Sequence, residues 1–477
     1  MMRAFPLLFI LSCAAMARET PLLGVGFPKD AVLMTPHRIE TIATGLNVPW
    51  DLVFLPDGRA LFTERGGKVR MISGNRVLPG PVLEIPVSQR IKMGLLGIAI
   101  DPAFASNGFV YLAHNQKKDD GYELIVSRHR LDGNRLVEPR VLLSGIPAWE
   151  NHTGCRLLFG PDGLLYVTTG DANRPPDSQK LDLPNGKILR IKPDGGIPAD
   201  NPFAGRPDAR PEVYSYGHRN SQGIAFQPGT GRFYASEHGP QDGDELNLIE
   251  KGANYGWPVI DHQRRAPDME TARCEITPST GPGALLFYQG SAFPELRGTL
   301  LMATLRGESV WRFALDASGQ PVAVDRFFHH QWGRIRFLVE GPDGSLWLST
   351  SMTDPPEASP RENDDRIIRI VADPNGTLES LDPNKPAEQV PVAPGPGLKD
   401  PEKLVAFHCV ACHGPGLAGG LQRNLLAGPW KWAKSDTDLE RVISDGVAQA
   451  GMPPNKTFLT PEQIGIIADH IRGKRTR

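Results

Sequence analysis

Along most of this chain, apolar residues come in short runs broken by turn-formers, with no sustained helical period. Leu52-Val53-Phe54-Leu55 leads into Pro56-Asp57-Gly58 and then Ala60-Leu61-Phe62-Thr63. The same order returns at Leu157 to Thr168 around Pro161-Asp162-Gly163, and at Phe337 to Thr350 around Pro342-Asp343-Gly344. Looser copies occupy Gly97 to Leu112, around Asp101-Pro102, and Gly223 to Ala235, around Pro228-Gly229. A sixth hairpin-like run, Gly298 to Phe313, lacks the turn triplet. Each unit predicts a strand, a tight turn and a strand. A lone strand pair cannot bury its faces, so this repetition from Arg18 to Val371 predicts an all-β six-bladed propeller in which each sheet packs on its neighbours. An irregular pair of β-sandwiches is the alternative arrangement of the same strands.

The pattern changes after Val371. Ala372 to Asp400 is rich in Pro, Gly, Asp and Asn without an apolar period, which reads as a semi-extended linker. Beyond it, Pro401 to Arg477 reads as a small all-α domain. Pro401 to Val410 predicts a short helix. Thr460-Pro461-Glu462 supplies an N-cap and an N1 proline for a final helix, whose Ile464, Ile467, Ala468 and Ile471 recur at helical spacing.

Length and composition agree with this division. A chain of 477 residues exceeds what one hydrophobic core organises. Its 51 Gly and 45 Pro stand above average usage of about 7% and 5% and imply many tight turns. A formal net charge of -2 gives no reason to expect nucleic acid as a partner. Residues 1–17 have the layout of a secretory signal: Arg3, a mostly apolar run from Ala4 to Ala14, then Ala15-Met16-Ala17 as a cleavage site. Cys13 offers a lipoprotein acylation site as the rival reading, although Ile10-Leu11-Ser12 fits that poorly. No later run reaches the roughly 20 apolar residues of a membrane helix, so the expectation is a periplasmic protein with no integral membrane segment. Of the cysteines beyond this segment, Cys155 and Cys274 could pair in such a compartment; nothing in the sequence decides it.

Cys409-Val410-Ala411-Cys412-His413 is the most specific motif. Two thiols at this spacing can bond both vinyl groups of haem, with the adjacent His as an iron ligand. A zinc site would need a second Cys or His pair at finger-like spacing, and a thioredoxin-type site a βαβ setting; neither is present. Gly451-Met452-Pro453-Pro454 then offers a thioether in a rigid turn. The order of elements resembles a class I cytochrome c domain, with His413 and Met452 as axial ligands of a haem c. His408 and His470 are the alternatives for the sixth position.

In the large region, polar clusters interrupt the strands at Asn151-His152, Asp171, His218-Arg219-Asn220, Glu237 to Glu245, Arg306, and Arg334 with Arg336. Taken with Gly94-Leu95-Leu96-Gly97, Gly186-Lys187-Ile188-Leu189-Arg190, Ile197 to Pro202 and Asn254-Tyr255-Gly256-Trp257-Pro258, residues from about Gly45 to Val371 resemble the soluble glucose/sorbosone (aldose sugar) dehydrogenases. These are six-bladed propellers that bind pyrroloquinoline quinone (PQQ).

The resemblance implies a catalytic set of His152 as base, Asp171 as the carboxylate that orients it, and Arg219. An imidazole near neutral pKa suits proton removal from a sugar hydroxyl. It implies Asn220, Arg306, Arg334 and Arg336 around the three carboxylates of the quinone. A Ca2+ held by the backbone carbonyls of Gly239 and Pro240 would polarise the quinone, and a second, structural Ca2+ would involve Glu245 and Tyr255. Two positions depart from the family pattern. Lys92 stands where Gln is frequent and bears on substrate preference, and Ser221 replaces a Pro. The expected function is sugar oxidation with electron transfer through the chain's own haem to a periplasmic acceptor such as a cytochrome or oxidase. The alternatives are a non-catalytic propeller that carries a cytochrome, and oxidation of an aldehyde such as sorbosone.

Overall fold

The computed structural model describes residues 23–26, 28–240, 242–262, 264–351, 364–378, 399–409, 417, 424–426, 430–447 and 459–474. Six antiparallel sheets follow one another around a ring. Their innermost strands are Pro49–Phe54, Leu95–Ile100, Leu157–Phe159, Ser221–Phe226, Pro282–Phe287 and Ile335–Glu340. The propeller expectation holds, and so do five of the six repeat units as inner hairpins. The sixth is offset: Gly298 to Phe313 forms the second and third strands of the fifth blade, Leu300–Thr304 and Ser309–Leu315. Its innermost strand is Pro282–Phe287, joined through a longer connection that holds the 3-10 turn Pro294–Leu296. With no Pro-Asp-Gly triplet at that connection, the sequence carries no mark of the inner hairpin.

The triplet has a physical reason. At each of the three inner hairpins that carry it the Asp carboxylate accepts the N–H two residues on, from Arg59, Leu164 and Ser345 at 3.0, 3.1 and 3.2 Å. The Gly then turns through φ of 84°, 72° and 78°, a region that Cβ-bearing residues avoid.

Ring closure joins the two ends of the propeller region. His37–Ala43 pairs antiparallel with Arg366–Ala372 as the outer strand of the sixth blade. Upstream, Leu23–Val25 adds in parallel to Cys274–Ile276, and Lys29–Asp30 to Pro321–Phe327, lacing two further blades. The propeller also runs past the expected boundary: Ala372 is still in strand and Thr377 bridges to His37. Apolar clusters between adjacent blades supply the core, for example Leu61, Val69 and Met71 against Leu95, Val110 and Leu112.

Three helices of the small domain, Pro401–His408, Asp436–Asp445 and Pro461–Lys474, pack around Leu404, Leu439, Ile443, Ile464, Ile467 and Ile471. The expected cap is there in reciprocal form: Gln463 N donates to Thr460 Oγ1 at 3.2 Å, and Thr460 N to Gln463 Oε1 at 3.0 Å. The middle helix, capped by Ser435, was not foreseen from the apolar pattern. Among the described residues no helix is long and apolar enough to cross a membrane. The signal segment and most of the linker lie outside the described residues.

Candidate active site

Loops at the starting ends of the innermost strands surround a cavity lined by Trp50, Lys92, His152, Asn220, His238 and Arg336, among others. The chemistry of this cavity starts with His152. Its Nδ1 lies 2.7 Å from Asp171 Oδ1, which leaves Nε2 as the nitrogen free for cavity chemistry. Asp171 is fully buried and its other oxygen accepts the Trp257 indole N–H at 2.9 Å, while Oδ1 also accepts Asn173 N at 2.8 Å.

The backbone brings this pair together by close approach. A Cβ on Gly170 would lie 2.0 Å from the His152 carbonyl oxygen, so only glycine fits before Asp171. His152 itself is held at φ 53°, a left-handed conformation that a side-chain-bearing residue adopts at a cost. Burial pushes the His152 imidazole below its ordinary value, and the Arg219 charge adds to this; Asp171 opposes both without reversing them. Burial would raise the Asp171 carboxyl, but His152, Arg219 and the Trp257 N–H hold it below the usual carboxylate range. The pair is therefore a neutral imidazole backed by an ionised carboxylate, which is the state a general base requires.

Arg219 and Asn220 are presented by a loop wound around one buried carboxylate. Glu237 Oε1 accepts Arg219 N in a short hydrogen bond and Asn220 N at 3.1 Å. Oε2 accepts Ser221 Oγ at 3.0 Å and lies 2.9 Å from His218 Nδ1. The guanidinium of Arg219 donates to the carbonyls of His238 at 3.0 Å and Pro240 at 3.4 Å, and lies over the Trp257 ring at 5.4 Å. The Arg219 carbonyl accepts Asp171 N at 2.8 Å, which ties this loop to the base.

Lys92, Arg334 and Arg336 make the opposite lining, and no carboxylate lines the cavity among the described residues. Arg336 donates to Gln222 Oε1 at 2.9 Å and, with Arg156, flanks the Trp50 ring at 5.5 and 4.5 Å. Three cations facing one cavity suit a polycarboxylate ligand, since each can donate to a carboxylate oxygen. The lining therefore fits the quinone that the sequence implies.

Other expected residues fall differently. Arg306 is exposed and does not line the cavity; its neighbour Leu305 does. Gly239 and Pro240 lie beside the site, with Gly239 N bound to Asp244 Oδ1 at 2.9 Å and the Pro240 carbonyl turned to Arg219. Glu245 sits opposite Glu237 and Glu275 across the sheet, and burial, then Glu237, push its carboxyl up to about 8. Tyr255 is buried, stacked on His218 at 4.7 Å, with its hydroxyl donating to the Leu248 carbonyl at 2.6 Å. That hydroxyl oxygen also accepts Glu250 N at 2.8 Å, so any cation there would use other atoms. Among the described residues no group of three or more His, Cys, Asp or Glu is gathered to hold a metal. Cys155 and Cys274 are buried free thiols in different blades, so the pairing left open by the sequence does not occur.

In the small domain, Cys409 is half-buried and packs against the helical core. Cys412, His413 and Met452 lie outside the described residues.

Sequence reasoning passed over several site residues. Gln222, His238 and Trp257 sit inside motifs already singled out, so their signal was present without a role. His238 Nε2 lies 2.7 Å from the Pro282 carbonyl, and burial with the Lys92 charge holds its imidazole well below its ordinary value. Trp50 carried no signal, since a buried Trp at a strand start is ordinary core.

Comparison with known proteins agrees with this geometry. Residues 46–356 match the family described as glucose/sorbosone dehydrogenase, and residues 396–471 match the family described as cytochrome c oxidase, cbb3-type, subunit III. The chain is 34% identical over 346 residues to an uncharacterized protein of Synechocystis sp., covering 66% of this chain and 84% of that protein. It is 33% identical over 337 residues to the aldose sugar dehydrogenase YliI of Escherichia coli, covering 66% of this chain and 90% of that protein. Among solved structures, the PQQ-bound form of an aldose sugar dehydrogenase from Streptomyces coelicolor superposes with a TM-score of 0.62 at 33% identity, covering 71% of this chain and 99% of that one.

Proposed function

Because this chain belongs to the glucose/sorbosone dehydrogenase family and carries a cbb3-type cytochrome c domain at its C-terminus, we propose that it is a periplasmic PQQ-dependent aldose dehydrogenase that passes its electrons to its own haem. The observation that carries this is a neutral His152, backed by buried Asp171, opening onto a cavity whose charged lining is cationic.

Lys92, Arg334 and Arg336, with Asn220, would hold the quinone by its carboxylates, and the carbonyls of Gly239 and Pro240 would hold calcium. When bound, these groups would supply a two-electron acceptor for the substrate's hydride and a Lewis acid beside it, and Cys409 and Cys412 would hold a haem c that would supply a one-electron acceptor. The protein's own contribution is proton handling and orientation. His152 Nε2 takes the proton of the anomeric hydroxyl as its C–H bond breaks, and the resulting imidazolium is stabilised by the Asp171 carboxylate 2.7 Å away. Burial, with the Arg219 charge adding to it, keeps the imidazole unprotonated beforehand. The tether makes the last transfer intramolecular, at an effective concentration on the order of millimolar.

The test is an absorption spectrum of the chain matured with haem, Ca2+ and PQQ, taken before and after addition of a panel of aldoses. Appearance of the reduced c-type bands with at least one sugar supports the reading. Reduction by dithionite alone, with aldoses and aldehydes both inert, overturns it.

A further inference from the structure

The second blade differs from the other five. Its outer strands Phe109–Lys118, Gly121–Asp132 and Arg135–Ala148 contain 10, 12 and 14 residues, against at most 7 in any strand of the other blades. The excess lies at the cavity end. The inner strand of this blade begins at Leu95, opposite His114, whereas the neighbouring strand runs on through Lys118, and Tyr122 pairs with Ala148 at the top of the overhang.

Trp149 follows Ala148 directly and stands three residues before His152. Its side chain is 44% exposed, and its ring meets that of Tyr122 edge-on, at 6.3 Å and 70°. The Tyr122 hydroxyl accepts Arg90 Nη1 at 3.0 Å, and Arg90 Nη2 pairs with Glu150 Oε1 at 2.7 Å. The Glu150 carbonyl in turn accepts Lys92 N at 3.1 Å, and the Lys92 side chain lines the cavity. The wall is thus fixed to the cavity mouth from both sides.

Single exposed apolar residues are ordinary surface. This one is braced by a second ring, rimmed by a charged pair and joined to the loop that carries the base. An aromatic face with polar groups at its edge matches a pyranose, which has an apolar C–H face and a rim of hydroxyls.

We propose that Trp149, braced by Tyr122 and flanked by Arg90 and Glu150, is the surface on which the second ring of a disaccharide stacks while its reducing end enters the cavity. This rests on the reading of the cavity as an aldose site. The overhanging blade exists, on this account, to hold the second ring outside the cavity while the first reaches His152.

The experiment compares the full-length chain with Trp149→Ala and Trp149→Phe, using glucose and the disaccharides maltose, cellobiose and lactose. Steady-state haem reduction is measured in the fully loaded protein, and sugar binding by calorimetry in the haem-containing, quinone-free protein. Trp149→Ala is expected to lower kcat/KM for at least one disaccharide by about tenfold, through KM with kcat unchanged, while glucose stays within about twofold. Trp149→Phe should recover most of the loss. Equal losses for glucose and disaccharides, or unchanged disaccharide constants, overturn the proposal. If no sugar reduces the haem, the dehydrogenase reading has failed and calorimetry alone decides the subsite. Disaccharide binding that weakens about tenfold in Trp149→Ala then supports it; no binding, or binding indifferent to Trp149, refutes it.

Discussion

Replacing Asp171 by Asn removes the charge behind the base while leaving volume and fold nearly unchanged. In the native protein Asp171 Oδ1 lies 2.7 Å from His152 Nδ1, and the carboxylate is fully buried, so water cannot take its place. A charge-assisted hydrogen bond of this kind contributes about 1.5–3 kcal/mol to the charged imidazolium that forms during turnover. At 1.36 kcal/mol per decade, that alone is roughly a 10- to 150-fold loss in kcat. The amide adds a second penalty. The Trp257 N–H and Asn173 N–H both seek an acceptor oxygen, and one of them loses it whichever way the amide turns. If the amide N–H faces Nδ1, it moves the imidazole proton to Nε2, the nitrogen that must be bare. The expected total is about 10²- to 10³-fold in kcat with little change in KM, since Asp171 does not line the cavity. The pH profile should move as well. Asp171 raises the His152 pKa against burial and Arg219, so its loss lowers that pKa further. The acid limb of kcat then shifts to lower pH while the plateau falls. The assay is sugar-driven haem reduction across pH in the loaded protein, with thermal unfolding as the folding control. A loss below about threefold, or an acid limb that does not move, would refute the assignment of His152 as base and Asp171 as its orienting group.

Two further outcomes follow from the same layer of buried groups. Glu237→Gln breaks the charge at the hub of the 218–221 loop, and is expected to destabilise the propeller by about 2–4 kcal/mol at neutral pH in urea unfolding followed by tryptophan fluorescence. Burial opposes ionisation of Glu237, but His218, the Arg219 N–H and Ser221 hold its carboxyl below the ordinary 4.5. Its stabilisation is therefore present above the unfolded value and lost as pH falls through the lowered folded value, a limb that Glu237→Gln should lack. Trp257→Phe removes a charge-assisted hydrogen bond to the Asp171 carboxylate, made at Oδ2 at 2.9 Å and worth about 1.5–3 kcal/mol, and should lower kcat by roughly 10- to 150-fold without a change in the haem spectrum.

Local rules alone determined a good part of this protein. The Pro-Asp-Gly triplets fixed three inner hairpins because a carboxylate bonding two residues on, followed by a glycine at positive φ, closes a turn without help from the rest of the chain. The apolar period of the last helix and its Thr460 cap were legible for the same reason.

Tertiary structure decided the rest. The fifth blade has no triplet, and its true inner hairpin shows only in its pairing. Ring closure joins His37–Ala43 to Arg366–Ala372 across most of the sequence, and no local pattern encodes a partner that distant. His152 and Asp171 could be picked from their motifs. Their roles depend on Gly170 letting two backbones touch, on Trp257 arriving from another blade, and on Glu237 gathering four donors. Arg306 looked equivalent to Arg334 and Arg336 as a cation in a strand-rich setting, but the turn after Leu300–Thr304 points it to solvent. Charge and residue type are properties of the sequence; the desolvation that lowers the His152 pKa, and the His152, Arg219 and Trp257 neighbours that keep Asp171 ionised against it, arise only when the blades close over them.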